Sequence, residues 1–299
     1  MDLSNCVCEG VLVGIGNPLL DISASVDSEL LSKYDLQPDD AIMAEDKHMP
    51  LYKELMVKYS AEFIAGGSVQ NSLRVAQWIL KTPKVTDEAA TGTCAVLVTG
   101  THRSLCANLA AAQKFTPEHL AKPECKEGFF VAVSPESILQ LAARAHAGGH
   151  AFIMNLSAPF VSQFYKEPLE KMLPYVDEAE AFAKAFGIEE TDLQAIAVKI
   201  SALPKLNEKR QRVVVITQGC EPVILVEGGK ITLIPVAVLS REEIVDTNGA
   251  GDAFAGGFLS QMVTGAPYTT CVKCGIYAAT HVIKHSGCTF SGNSDFKRD

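Results

Sequence analysis

From residue 137 to its end the chain alternates short apolar runs with stretches of helical period, and this alternation restricts the fold more than any other feature. Residues 137–147 read as a helix, 151–156 as a strand and 168–173 as a helix, with further helices at 178–186 and 192–203. The run 213–217 (VVVIT) is a strand rich in β-branched residues. Residues 223–226 and 231–238 form a hairpin about Gly228 and Gly229, and helices follow at 251–263 and 269–285. Strands separated by helices form a sheet covered on both faces, so the expected class is α/β.

The first half reads differently. Residues 10–15 form an apolar strand ending in a turn at 16–18, and 19–25 alternate roughly, with helices at 28–34 and 46–59. A glycine turn at 66–67 opens a helix to residue 80, whose Val69, Leu73, Val75, Ala76 and Ile79 fall near helical spacing. Residues 95–99 and 105–109 flank the polar turn 100–104 as a hairpin, so a separate small β element is expected. The length of 299 residues suits one large domain, alone or with such an appendage.

The densest chemical signal is 246–254 (DTNGAGDAF). Gly249, Ala250 and Gly251 precede an apolar helical run, and such a turn presents consecutive backbone N–H groups to an anion. Asp252 falls in the first turn of that helix, where a carboxylate can take a proton from a hydroxyl beside a bound phosphate. The same residues also suit an Asp that only stabilises a helix dipole.

Charge sets limits on partners. A net charge of −9 and a pI near 5.3 argue against nucleic acid and anionic membrane as partners, since both select a basic face. No apolar run approaches the roughly 20 residues that cross a bilayer, and the start lacks the pattern of a secretory signal. The nine cysteines are odd in number, and Cys94 lies in an apolar run, which reads as free thiols in a reducing compartment. Cys271, Cys274, His281 and His285 share one expected helix and cannot fold back as zinc-finger ligands do. Gly14 and Gly16 lack the third glycine of a dinucleotide loop, its place being Leu19, and no Walker loop occurs.

The run 246–254 is similar to the signature of the ribokinase-like carbohydrate and nucleoside kinases. The stretches 16–22 (GNPLLDI), 66–71 (GGSVQN), 155–164 (NLSAPFVSQF) and 287–290 (GCTF) narrow the resemblance to the adenosine kinase branch. That resemblance implies a ribokinase-like fold over residues 1–299: a large doubly wound, mostly parallel sheet with helices on both faces, plus a small β-rich lid from about 19–33, 41–67 and 89–112. It implies Asp252 as catalytic base, with Gly249, Ala250 and Gly251 stabilising developing charge and Arg103 reaching the transferred phosphate. Asp21 would hold the ribose hydroxyls, with Asn17, Asn71 and Asn248 as further polar contacts and Gly67 and Ser68 allowing close backbone approach. Leu105, Ala107, Phe160 and Phe182 would form the apolar wall around a purine, and Glu178 would act on Mg²⁺ through water.

The implied reaction moves the γ-phosphoryl group of ATP, with Mg²⁺, to the 5′-hydroxyl of adenosine, in a monomer of the cytoplasm and also of the nucleus. The alternatives are a related sugar or other nucleoside kinase, or a non-catalytic nucleoside-binding protein. The chain also departs from the family pattern. The junctions at 83–88, 119–128 and 176–178 are short, the last lacking the strand before an Asn-x-x-Glu motif. Thr101 and His102 stand where relatives often carry acidic and amide residues.

Overall fold

The computed structural model describes residues 12, 14, 16, 19–38, 41–81, 92–99, 102–108, 135–155, 166–176, 178–180 and 192–298. Side-chain alternation builds the first sheet. Its strands β1 (Leu19–Ser25), β2 (Ala41–Met43), β3 (Glu62–Gly66), β4 (Gly92–Thr99) and β5 (His102–Asn108) lie in the order β2-β5-β4-β1-β3. β4 and β5 are the expected hairpin, antiparallel with Val96 opposite Leu105, while β1 runs parallel to β4 with Asp21 opposite Cys94. One face carries Ile22, Ala24, Ala95, Leu97 and Cys106, which pack under α1 (Ser28–Lys33) and α2 (Met49–Lys58). Period two then places Asp21, Ile64, Cys94, Leu105 and Ala107 together on the other face. This is the lid.

α3 (Ser68–Leu80) lies between β3 and β4, and after β5 the described chain resumes in α4 (Pro135–Ala147), β6 (Ile153–Asn155), α5 (Lys166–Met172), β7 (Glu178–Glu180) and α6 (Leu193–Ser201). β8 (Val213–Gln218), β9 (Glu221–Glu227) and β10 (Lys230–Ile234) complete the second sheet, and α7 (Ala250–Met262) and α8 (Tyr268–Val282) follow. The sheet order is β10-β9-β8-β7-β6, with β6, β7 and β8 parallel and the β8-β9-β10 meander antiparallel. β8 shows why both faces are covered. Val214 and Ile216 pack with α4 and α6, whereas Val213 and Val215 pack with Phe254 and Phe258 of α7 and Cys271 and Val272 of α8.

Three expectations change. Residues 102–104, Arg103 among them, were expected in the polar turn 100–104 but belong to β5, paired with residues 97–99 of β4. Residues 178–180 form a strand rather than the start of a helix over 178–186, and β7 lies between β6 and β8, so the short junction at 176–178 does feed a strand. β10 stops at Ile234 rather than 238, because Pro235 has no N–H to extend the ladder. The strand expected at 10–15 and the junctions at 83–88 and 119–128 lie outside the described residues, apart from single positions.

Arg212 ties the helix ends beneath this sheet. Its guanidinium, 2% exposed, donates to the carbonyls of Leu173, Val176, Ile200, Leu203 and Pro204 at 2.6–3.2 Å. Leu173 O and Ile200 O also accept backbone N–H groups at the ends of their helices, whereas Val176, Leu203 and Pro204 lie where intrahelical donors run out.

Candidate active site

Two helix starts meet behind the lid. α3 begins after Gly67, whose φ of 93° and ψ of 121° suit glycine, and whose carbonyl accepts from Asn71 N at 2.9 Å. α7 begins after Gly249, at φ 75°, where a Cβ would fall 2.6 Å from Cys288 Cβ. The helices pack closely because Gly256 of α7 lies against the backbone of Ser72, where a Cβ would come 2.7 Å from Val75 Cβ. That approach brings together residues 181 positions apart: Asn71 Nδ2 donates to Asp252 Oδ2 at 2.9 Å. The positive ends of both dipoles therefore converge on Asp252.

The turn before α7 is held from both sides by one carboxylate. Asp246, 9% exposed, accepts from Asn248 N at Oδ1 (2.7 Å) and from Gly287 N at Oδ2 (2.8 Å). The first bond is the local turn that an Asp makes with the residue two ahead, and the second pins the 286–289 loop beside the glycines. Ala250 N donates to Thr247 O at 3.3 Å, whereas the N–H groups of Gly251 and Asp252 take no partner among the described residues. A Cβ at Gly251 would meet nothing within 4 Å, so the space in front of this turn is open. Of the three residues expected to stabilise charge, Ala250 is thus partly engaged within its own turn.

Asp21 approaches from the lid. It is 8% exposed, its carboxylate lies over the backbone of Gly66 at the end of β3, and its Oδ2 faces Asn248 Nδ2 at 3.4 Å. Leu105 and Ala107 are half-buried on the same sheet face. The structure thus gathers Asp21, Asn71, Asn248, the glycine turn and Asp252, with Leu105 and Ala107 on the wall Asp21 shares and Gly67 and Ser68 at the start of α3. Arg103 sits in β5 opposite Val98, and Glu178 opens β7 between Ile153 and Val213. Asn17, Phe160 and Phe182 lie outside the described residues.

Three residues that carry the geometry were not singled out from the sequence: Gly66, Asp246 as a clamp, and Arg74. Asp246 had a readable signal in its spacing to Asn248. Gly66 was readable as part of the 66–67 turn but not as the backbone under Asp21, a contact between distant segments, and Arg74 had a signal only in its i, i+3 spacing to Asn71. Cys288 registers the charge of the site, since burial, then Asp252, push its thiol up to about 12, while Arg74 opposes them. Cys271 and Cys274 are buried in the packing face of α8, and His281 lies against Trp78 with ring centres 4.7 Å apart.

A carboxylate oriented by an amide, beside helix-start N–H groups unpartnered among the described residues, with Asn248 of the same turn reaching a second carboxylate, is suited to phosphoryl transfer to a hydroxyl acceptor. The pfkB family carbohydrate kinase model matches residues 80–295. The chain is 46% identical to adenosine kinase 2 of Arabidopsis thaliana over 337 aligned positions, covering 96% of this chain and 98% of that protein. It is 39% identical to the adenosine kinase of Schizosaccharomyces pombe, covering 93% and 96%. An alignment of 337 positions on a chain of 299 residues means that the Arabidopsis protein carries segments with no counterpart here. The crystal structure of Anopheles gambiae adenosine kinase in complex with P1,P4-di(adenosine-5) tetraphosphate superposes with a TM-score of 0.91 at 50% identity, covering 97% of this chain and 100% of that one. The Schistosoma mansoni enzyme in complex with adenosine in an occluded loop conformation superposes with a TM-score of 0.85 at 30% identity, covering 95% and 98%.

Proposed function

This chain belongs to the pfkB family of carbohydrate kinases, and from that premise we propose that it acts as an adenosine kinase, moving the γ-phosphoryl group of ATP to the 5′-hydroxyl of adenosine. The products are AMP and ADP. The observation that carries the reading is the Asn71–Asp252 contact at the joined starts of α3 and α7, next to the N–H groups of Gly251 and Asp252, which have no partner among the described residues.

Each residue then has a chemical task. Asp21 offers an acceptor-only carboxylate to two vicinal ribose hydroxyls, and Leu105 and Ala107 give the purine an apolar wall. Asp252 takes the proton of the 5′-hydroxyl as the O–P bond forms, so its oxygen must lie within hydrogen-bond reach of that hydroxyl. The N–H groups before α7 hold charge that grows on the transferred group without reorganising. The lid face closing over the sugar excludes water, which limits hydrolysis of ATP. Mg²⁺ would arrive with the donor phosphates and offset their charge, with Glu178 as the residue that would act on it through water.

Two measurements test the reading. Replacing Asp252 with Asn keeps the shape but removes the base, and AMP formation should fall by roughly 10²–10⁴-fold. Adenosine affinity, read by calorimetry, should stay within about threefold, as expected for a group that acts mainly in the transition state. Unchanged turnover would sink the mechanism. A panel of acceptors decides the substrate: ribose preferred over adenosine refutes the nucleoside assignment, and binding without turnover in the wild type favours a non-catalytic protein.

A further inference from the structure

We propose that Arg74 is a positioning residue for the catalytic base, acting through the side-chain amide of Asn71. The inference rests on the assignment of Asp252 made above. Asn71 is 4% exposed, so its amide must match donor to acceptor within the protein. Arg74, one turn further along α3, directs Nη1 at Asn71 Oδ1 (3.4 Å), while Asn71 Nδ2 donates to Asp252 Oδ2 (2.9 Å). The reversed amide would set its carbonyl oxygen against the carboxylate and its NH₂ group against the guanidinium. Both contacts are repulsive, so a cation on one side and an anion on the other select a single orientation.

At 3.4 Å the Arg74 contact is long, and its effect comes from orientation and local field more than from bond strength. The guanidinium is held in place from the opposite side. It lies 5.5 Å over the ring of Phe290, which itself stacks on Trp78 at 5.1 Å. Its charge is felt at Cys288, which packs against Gly249: Arg74 opposes the upward shift that burial, Asp252 and Asp21 give that thiol. The consequence falls on Asp252. Its Oδ2 is occupied by the amide, and Oδ1 is left without a protein partner among the described residues, available to a hydroxyl.

A merely structural arginine and a positioning one differ in where their effects go. With the full-length protein, ATP and adenosine, Arg74→Met should lower kcat by about tenfold while the adenosine KM stays within about twofold, since a misaligned base affects the transition state and not ground-state binding. Arg74→Lys keeps the cation and should recover kcat to within about threefold of wild type. In an Asn71→Ala background the Arg74→Met change should alter kcat by less than about twofold, because the route is already broken. If Arg74→Met proves unfolded by circular dichroism, Arg74→Gln carries the same comparison. The inference is overturned by a kcat within about twofold of wild type in Arg74→Met, or by an equal loss with and without Asn71. Asp252→Asn measured in parallel separates the two levels: if it retains turnover, the base assignment itself fails, whereas its loss beside an active Arg74→Met removes only the role of Arg74.

Discussion

Gly249 has the least freedom to change of the residues around the turn. Its φ of 75° is a left-handed conformation, and a Cβ there would stand 2.6 Å from Cys288 Cβ and 3.2 Å from its Cα. Gly249→Ala should therefore cost about 1–3 kcal/mol of stability from backbone strain alone. Relief of the clash must move either the 286–289 loop or the α7 start, so kcat should fall by at least about tenfold. Thermal melting and steady-state kinetics on one preparation check this, and an alanine variant with native kcat would show that the turn tolerates displacement. At this scale much was legible beforehand. Gly249 and Asp252 were marked by their place before a helical run, whereas Asp246 was read only as the start of the run 246–254, although its spacing to Asn248 is that of an Asx turn. Gly66 was not, because its need for a bare backbone comes from a carboxylate 45 positions earlier in the chain.

Elements are held by different means on the two faces of the second sheet. On the α7/α8 side, glycines let helices touch: a Cβ at Gly257 would meet Cys274 O at 2.5 Å, and one at Gly275 the ring of Phe254 at 2.8 Å. On the other side, Arg212 gathers the carbonyls that end α6 and the turn at 173–175. Burial of a guanidinium is tolerable only because its donors are satisfied, and the same bonds satisfy the carbonyls. Arg212→Met fits the space but strands the carbonyls of Val176, Leu203 and Pro204, for which no backbone donor is found among the described residues, and should destabilise the protein by about 3 kcal/mol. Urea unfolding followed by circular dichroism measures it, and a change below about 0.5 kcal/mol would mean that water replaces the guanidinium. The hairpin β4–β5, the β9–β10 hairpin and α7 were readable from period and turn residues. The helix expected at 178–186 was not. Three-residue strands give too few repeats to show a period, and neighbours β6 and β8 decide their state.

Across the whole molecule the lid and the second sheet meet at the site. Ile64 of β3 lies against Gly287, Ser286 Oγ donates to Glu62 Oε2 at 3.3 Å, and Asn248 faces Asp21. Gly287 has a φ of 61°, and a Cβ there would come 2.9 Å from Ile64 Cδ1. Gly287→Ala should push the lid edge away and raise the adenosine KM by about tenfold, with a stability loss of about 1–2 kcal/mol from the left-handed backbone. An unchanged KM would show that the lid seats independently of this loop. By itself the sequence determined the α/β class, the small separate β element, the glycine turn that opens a helix and the carboxylate in that helix's first turn, because these follow from local period, turn chemistry and spacing. Only the tertiary structure decided that Asn71 orients Asp252, that Arg74 stands behind Asn71, and that Asp21 comes to the same place. The first and third of these contacts depend on how closely two glycine-faced helices pack and how a lid strand is registered, and neither is encoded within any one segment; the second lies within α3, and only the packing of α7 shows which residue it serves.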